Sequence, residues 1–536
     1  MEAFEISPDT ALNQNGFANL ERRQVVFTIA GMMLTLLLAA IDQTIVGTAM
    51  PRVIADLNGF DRYPWVTTSY MLTSTIAVPV FAKLSDLYGR KWFYLAGAVL
   101  FVFSSCLCGA AGYFPLPIDG MNQLIAFRSL QGLGGGAIMG LSFTIIGDLF
   151  APIDRGKYQG LFGAVFGLAS LLGPGAGGWI TDHLSWRWAF YVNAPFGVLA
   201  ISVLYFTFPH FRPQHVRRVI DWMGFATLCA WLVPLLLALS WVRQSGWLTP
   251  EVVIPLIVAA VMLIVFLQVE KRAIEPLIPL TLFRNPSIAL ALISGFLLSM
   301  GMFGVFLFLP LFLQGVMGAS ATESGSLLTP FMLSLIGSSI LIGQIVARTG
   351  RYKIFTILGS AFAAFGMYLL SGMSPVSTHW EIIRNMMLCG AGLGALQPIY
   401  MLIVQNSAPH EQMGAATASN QFFRSIGGTL GVAVFGSILL SLYHQHFDGL
   451  IPVGASAAVL KPFENPLQIF QMKPALEASF SKIPNGPALL ATLFEGVKSG
   501  LSAAIHMIFL LSACVLGLTL LLNLFINEIP LRKENA

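Results

Sequence analysis

The stretch FAKLSDLYGRK, Phe81–Lys91, crowds Lys83, Asp86, Arg90 and Lys91 around one glycine, between two long apolar runs. Three cations, an anion and a turn former belong in water. The flanks are long and apolar enough to belong in lipid. Reading the knot as a loop between two membrane crossings organises the rest of the chain.

Composition agrees with that reading. Of 536 residues, 56% are hydrophobic and 10% charged, and mean hydropathy is +0.76. Soluble domains carry about 25% charged residues and cannot expose this much apolar surface. A single soluble core is the competing reading, but cores stop growing near roughly 300 residues. The net charge of +4 forms no basic stripe outside short loops, so nucleic acid is not an expected partner. Cys106, Cys108, Cys229, Cys389 and Cys514 all fall in apolar runs. They read as packing residues, not as a disulfide framework or a metal site. No metal or cofactor is expected. With no G-x-x-x-x-G-K-S/T phosphate loop in the chain, an ion gradient is the expected energy source.

A helix crosses the bilayer with about 20 apolar residues, and only helices or closed barrels can cross. The runs here are continuous, not alternating, so an all-α polytopic protein is predicted. Fourteen spans are expected, at 25–49, 65–83, 92–112, 122–149, 157–180, 188–208, 222–242, 252–270, 288–314, 324–347, 354–372, 381–406, 415–443 and 503–526. Lys and Arg set the orientation. With the amino terminus inside, inner segments hold Arg22, Arg23, Lys83, Arg90, Lys91, Arg155, Lys157, Arg212, Arg217, Arg218, Lys271, Arg272, Arg284, Arg348, Arg351, Lys353, Arg532 and Lys533. Short outer loops hold only Arg52, Arg62, Arg187 and Arg243. The expected organisation is a cytoplasmic tail (1–24, no signal peptide), a six-helix bundle (25–208), two inserted helices (209–287), a second bundle (288–526) and a cytoplasmic tail (527–536). A plasma or inner membrane is the expected location. A long outer loop, 444–502, carries Lys461, Lys473, Lys482 and Lys498, which long loops tolerate.

The chain also repeats itself. GQIVARTGRYK, Gly343–Lys353, echoes the opening stretch, with Ala347 in the place of Asp86. APIDRGKYQG from Ala151 pairs with APHEQMGAAT from Ala408, which sets Gly156 and Gly173 on Gly414 and Gly431. Such repeats mark secondary transporters.

Four stretches carry a family resemblance. IDQTIVGTAMPRVIADL from Ile41 lies on helix 1, FAKLSDLYGRK between helices 2 and 3, RSLQGLGGG from Arg128 on helix 4, and GLASLLGPGAGG from Gly167 on helix 5. In this order they resemble the major facilitator superfamily, specifically its fourteen-helix drug:proton antiporters, over nearly the whole chain. Ala82 stands where the loop motif usually begins with glycine. The resemblance implies two six-helix bundles plus two inserted helices, and a monomer in the lipid bilayer. It implies no enzyme activity and no cofactor. It also implies proton-driven, alternating-access efflux of small amphipathic or cationic drugs. Export of a lipid or a specific metabolite, solute:proton symport, and a membrane receptor or enzyme are the rivals. The last would need a catalytic cluster or sizeable soluble domain, and the sequence displays neither.

Each candidate residue has two readings. Asp42 sits mid-helix, where a charge is costly unless it meets water or a partner. The resemblance implies a proton carrier for which cationic substrates compete; the alternative is a structural Asp bonded to Thr44 or backbone. Arg128 cannot release its proton, so it must pair or snorkel, and Asp42 is its natural partner. The resemblance links it to proton coupling. Asp86, Gly89 and Arg90 are implied to latch the cytoplasmic ends of the halves together. Plain topology setting explains the cations but not Asp86. Gly167, Gly173, Pro174, Gly175, Gly177 and Gly178 suit either a tight, bendable antiporter seam or ordinary close packing. Pocket candidates are Asp42, Trp65, Tyr70, Phe312, Gln314, Gln397, Tyr400, Met401, Asn420 and Phe422, against a default of lipid-facing residues. Glu381 is a candidate i, i+3 partner for Arg384. Helices 7 and 8, with Trp222, Trp231, Trp241 and Trp247, read as peripheral. Helices 9 to 14 hold no mid-depth acid, which favours monovalent cationic, neutral or amphipathic substrates over divalent cations.

Overall fold

A computed structural model describes residues 21–57, 62, 64–115, 117–209, 220–319, 321–374, 377–409, 412–448, 460, 463, 469, 476–481 and 486–531. The expected tail before residue 21, the basic residues Arg212, Arg217, Arg218, Arg532 and Lys533, and Lys461, Lys473 and Lys482 of the long loop lie outside the described residues.

Among the described residues fourteen long helices run in order: α1 (Arg22–Leu57), α2 (Pro64–Tyr88), α3 (Arg90–Gly109), α4 (Gly120–Leu149), α5 (Pro152–His183), α6 (Trp188–Thr207), α7 (Trp222–Ser245), α8 (Pro250–Arg272), α9 (Pro286–Leu311), α10 (Ala321–Thr349), α11 (Lys353–Ser371), α12 (His379–Ser407), α13 (Met413–Asp448) and α14 (Gly486–Leu524). Thirteen are long and apolar enough to cross a membrane. The fourteenth, α2, is diluted by the polar run VTTSYMLTST but lies along α4. Helix α6 is interrupted at Val192, and α9 ends in a π-turn, Phe312–Val316. The described residues contain no strand.

Local chemistry sets the helix ends. Gly89 holds φ at 107°, a left-handed value that favours glycine, so α2 stops and α3 restarts at Arg90. Gly350 does the same before α11, with φ at 69°. Asp119 caps α4 by accepting from the Asn122 N–H at 3.0 Å. Thr378 and Glu381 form a capping box at the start of α12. Glu381 is therefore spent on the cap and is not the partner of Arg384, which donates to Asn385 Oδ1 at 3.1 Å.

Lipid gives helices no hydrophobic reason to associate, so close contact of small residues must supply it. Gly134 of α4 faces the α3 backbone, where a β-carbon would lie 2.5 Å from Phe101 N. Gly136 abuts Ser74 of α2. The second half repeats this: Gly392 of α12 faces Gly359 and Ala363 of α11, and Gly390 and Gly394 face Phe331 and Leu335 of α10. Gly134→Val is accordingly expected to abolish recovery of monodisperse protein on size exclusion. Gly47→Ala, with nothing within 4 Å, should leave it intact.

Two expectations need correction. Helix α14 starts at Gly486, well before residue 503, because Leu490, Leu493 and Val497 bury in one cluster with Tyr443, Phe447 and Phe463. Helix α7 is not peripheral. Leu228, Trp231, Leu232 and Leu236 pack with Ile76 of α2 and Phe422 of α13. At its far end the Trp241 ring lies 6.1 Å from Trp65, and beyond it Trp247 Nε1 donates to Ser437 Oγ of α13 at 2.9 Å. Helix α7 thus covers the seam where the halves meet. Of the two inserted helices, α8 is the peripheral one, with Ile254, Ile257, Val261 and Ile264 exposed.

Candidate functional site

A closed polar cluster lies inside the first bundle. Asp42 of α1 is 0% exposed and Arg128 of α4 is 1% exposed. Arg128 Nη1 donates to Asp42 Oδ2 at 2.5 Å. The other carboxylate oxygen accepts from Gln131 Nε2 at 2.8 Å and from Asn193 Nδ2 of α6 at 3.1 Å. Arg128 also donates to Gln131 Oε1 at 2.9 Å, since residues three apart share a helix face. Its guanidinium stands 4.3 Å from the centroid of the Tyr70 ring, and Gly132 and Gly135 are what let α2 come this close. Asn193 further donates to Ser105 Oγ at 3.0 Å. Thr44 is not a partner of Asp42: its hydroxyl donates to the Ile41 and Ala169 carbonyls. Both charges are compensated and hydrogen-bonded, as buried ions require. Adding a proton to this carboxylate would strip Arg128 of its counter-charge.

A second cluster sits at the end of the bundle that carries Lys83, Arg90 and Lys91. Asp86 and Arg90 form an i, i+4 ion pair. Arg90 Nε also donates to Asp148 Oδ2 of α4 at 2.8 Å, and its Nη1 to Ser85 Oγ at 2.7 Å. Lys83 pairs with Glu275, beyond α8, at 2.7 Å. The Asp86 carboxylate fills the space a β-carbon on Gly414 would take, in the first turn of α13. A helix amino terminus carries partial positive charge, so this contact between halves is electrostatically favourable. Further contacts join the halves at the same basic end. Gln405 of α12 donates to the Phe143 carbonyl of α4 at 3.0 Å and accepts from Gln159 Nε2 of α5 at 2.7 Å. Arg155 Nη1 reaches the Gln405 carbonyl at 3.4 Å. Gly156 of α5 and Gly343 of α10 meet backbone to backbone. The basic end is closed.

The helix-5 glycines divide by height. Gly167 packs on Ile336 of α10, in the other half. Gly173 and Gly177 pack on Thr44 and Thr48 of α1, with Pro174 between them in the helix. At Gly175 and Gly178 a β-carbon would meet nothing within 4 Å.

The pocket candidates do not share one wall. Asp42 and Tyr70 belong to the buried cluster, and Trp65 stacks edgewise on Trp241. Phe422 faces Trp231 of α7, with ring centroids 6.0 Å apart. Tyr400 is turned toward α14, where Asn523 Nδ2 donates to its hydroxyl at 2.8 Å. Phe312 is buried within the second half, and Gln314 is exposed and donates to Ser324 Oγ at 3.3 Å. Met401, Asn420 and Gln397 come nearest to the junction of the halves. Met401 is buried in the first half's core cluster, Asn420 Nδ2 lies 3.6 Å from its sulfur, and Gln397 Nε2 lies 3.3 Å from the Met302 sulfur.

The family model of the Major Facilitator Superfamily matches residues 32–432. The chain belongs to this superfamily. Its similar relatives include the multidrug transporter protein MdtP of Bacillus subtilis, 37% identical over 95% of this chain and 94% of that protein. Multidrug resistance protein 3 of the same organism is 38% identical, over 94% and 95%. Among solved structures, the proton:xylose symporter XylE superposes with a TM-score of 0.60 at 13% identity, covering 96% of this chain and 98% of that one. The human organic anion transporter MFSD10 gives 0.58 at 14%, covering 92% and 99%. These likenesses establish the all-α fold of the superfamily.

Within this superfamily fold, several site residues escape a reading of charges alone. Gln131 is foreshadowed by its position one turn from Arg128. Asn193 is a lone amide in an apolar helix, a type that is expensive in lipid and so informative. Ser105, Gln159 and Gln405 carry no such signal. Asp148 is legible as a charge near a helix end, but its pairing with Arg90 is not.

Proposed function

We propose that this transporter exports small amphipathic or cationic compounds in exchange for protons. The observation that carries the reading is the fully buried Asp42–Arg128 pair, held by Gln131 and Asn193. Multidrug transport is named for relatives matching over nearly the whole chain. By the positive-inside rule the closed, basic end is cytoplasmic, so the captured state faces outward, in a plasma or inner membrane. A proton arriving from outside neutralises Asp42 and frees Arg128. The bundles of 25–208 and 288–526 then rock about the seam, the latch of Asp86, Arg90 and Asp148 releases, and Asp42 gives its proton up inside as substrate enters. The protein acts as a monomer and draws no chemistry from a cofactor.

One monovalent cation out for one proton in is electroneutral. Each pH unit should then sustain about a tenfold substrate gradient. Purified protein in proteoliposomes under an imposed pH gradient is expected to release protons when ethidium is added. Silence toward ethidium and other lipophilic cations would overturn the drug:proton reading and favour export of a lipid or metabolite.

A further inference from the structure

The two halves treat the arginines of their helices differently. Arg128 and Arg90 in the first half are paired with carboxylates. Arg424, on α13, is not. It lies three turns, roughly 16 Å, along the helix from Met413. Its Nη1 donates to Gln421 Oε1 at 3.1 Å, and no described carboxylate forms an ion pair with it. Helices α9 to α14 have no acid at mid-depth that could serve. An arginine cannot discharge itself by losing a proton, and a neutral amide is a poor counter-charge in lipid. Such a residue is a functional site by default, with its partner still to be named.

The surroundings name the partner by its chemistry. The Arg424 stem rests on α9 where Gly295 leaves room; a β-carbon there would lie 3.6 Å from Arg424 Cγ and 3.3 Å from Asn420 Oδ1. Asn420, one turn away on the same face, is fully buried and its Oδ1 has no partner. Its amide N–H group spends itself on the Met401 sulfur at 3.6 Å, a weak acceptor that a stronger one would displace. Arg424 itself keeps partial exposure, so it is reachable. Turning the Asn420 amide over exchanges its unpartnered Oδ1 for an N–H on the side of Arg424, which with the guanidinium completes an oxyanion receptor.

We infer that Arg424, assisted by Asn420, binds the acid group of amphipathic anionic substrates: a carboxylate, sulfonate or phosphate on an apolar body. This rests on the exporter reading and widens its substrate class beyond cations. Exchange of a monoanion outward for a proton inward moves two charges, so an inside-negative potential would drive it, unlike the cation exchange.

The test uses the full chain in phosphatidylcholine nanodiscs and compares cholate with cholate methyl ester, the same body without its charge. Wild type should bind the acid at least tenfold tighter than the ester. Arg424→Gln should bring that ratio close to one, and Arg424→Lys should keep part of it. The ester serves as an internal check on folding of each variant. A wild-type ratio near one overturns the inference, as does an Arg424→Gln ratio equal to wild type. Titrated phosphatidylglycerol that competes with cholate in wild type but not in Arg424→Gln would identify a lipid phosphate as the acid group bound in the membrane. Wild type that couples ethidium to protons yet ignores the acid charge sinks the anion site alone. Wild type that prefers the acid but couples nothing sinks the antiport reading and keeps the site.

Discussion

Asp42→Asn and Arg128→Gln, made singly, should each abolish ethidium-driven proton release, while the double variant should recover folding but not coupling. The pair is 0% and 1% exposed, and breaking a buried pair by removing one partner costs about 3–5 kcal/mol because the other charge is stranded. Replacing both with neutral amides strands nothing, so thermal unfolding in detergent should find the double variant more stable than either single one. The singles should also differ. Asp42→Asn leaves a guanidinium that cannot discharge, cushioned by neutral groups alone: Gln131 Oε1, the Val66 carbonyl and the Tyr70 and Phe190 rings. Arg128→Gln leaves a carboxylate that still accepts from Gln131 and Asn193 and can neutralise itself by taking a proton. Asp42→Asn should therefore be the more damaging to stability. Additive effects in this cycle would mean the two residues do not act as a pair. Proton release by Asp42→Asn at the wild-type rate would make Asp42 structural and move the proton site elsewhere.

What the sequence made legible follows from charge. Asp42 and Arg128 stand out because each is an ion in an apolar run, and their pairing was the natural inference. Asp86 stood out because cations alone set topology. The partners that complete these sites were harder to see. Ser105 is a small polar residue of a kind common in membrane helices. Gln405 meets Phe143, Gln159 and Arg155 only because the halves close on one another, and no local pattern encodes a contact between segments more than two hundred residues apart. Helix α7 misled for a related reason. A helix that is apolar all round faces lipid or protein equally well, and hydropathy does not separate Trp231, buried on Phe422, from Ile257, exposed. The pocket aromatics failed to converge because aromatic residues serve cores, seams and membrane interfaces alike.

The second large effect is expected at the basic end. Asp86→Asn and Gly414→Val should each open it. Asparagine removes the charge that faces the positive end of α13, and valine pushes that end off the carboxylate. A charge at a helix terminus contributes about 0.3–2 kcal/mol. Losing the upper figure shifts a two-state balance by more than tenfold, enough to depopulate the closed form. Arg90→Ala should do more harm to folding than either, because it leaves both Asp86 and Asp148 without their shared cation. The reporter is spin-label distance between Lys157→Cys on α5 and Arg348→Cys on α10, with the five native cysteines replaced. Wild type should give a predominantly short distance; Asp86→Asn and Gly414→Val should add a longer population and cut transport tenfold or more. Asp86→Asn that slows transport with no change in distance would mean that Asp86 does not bias the closed state. Gly414→Val separates the remaining cases, because it leaves every charge in place. If it opens the end as Asp86→Asn does, proximity of the carboxylate to α13 is what holds the halves together. If it does not, the Asp86–Arg90–Asp148 cluster acts within its own half, and closure belongs to Gln405 and the Gly156–Gly343 contact.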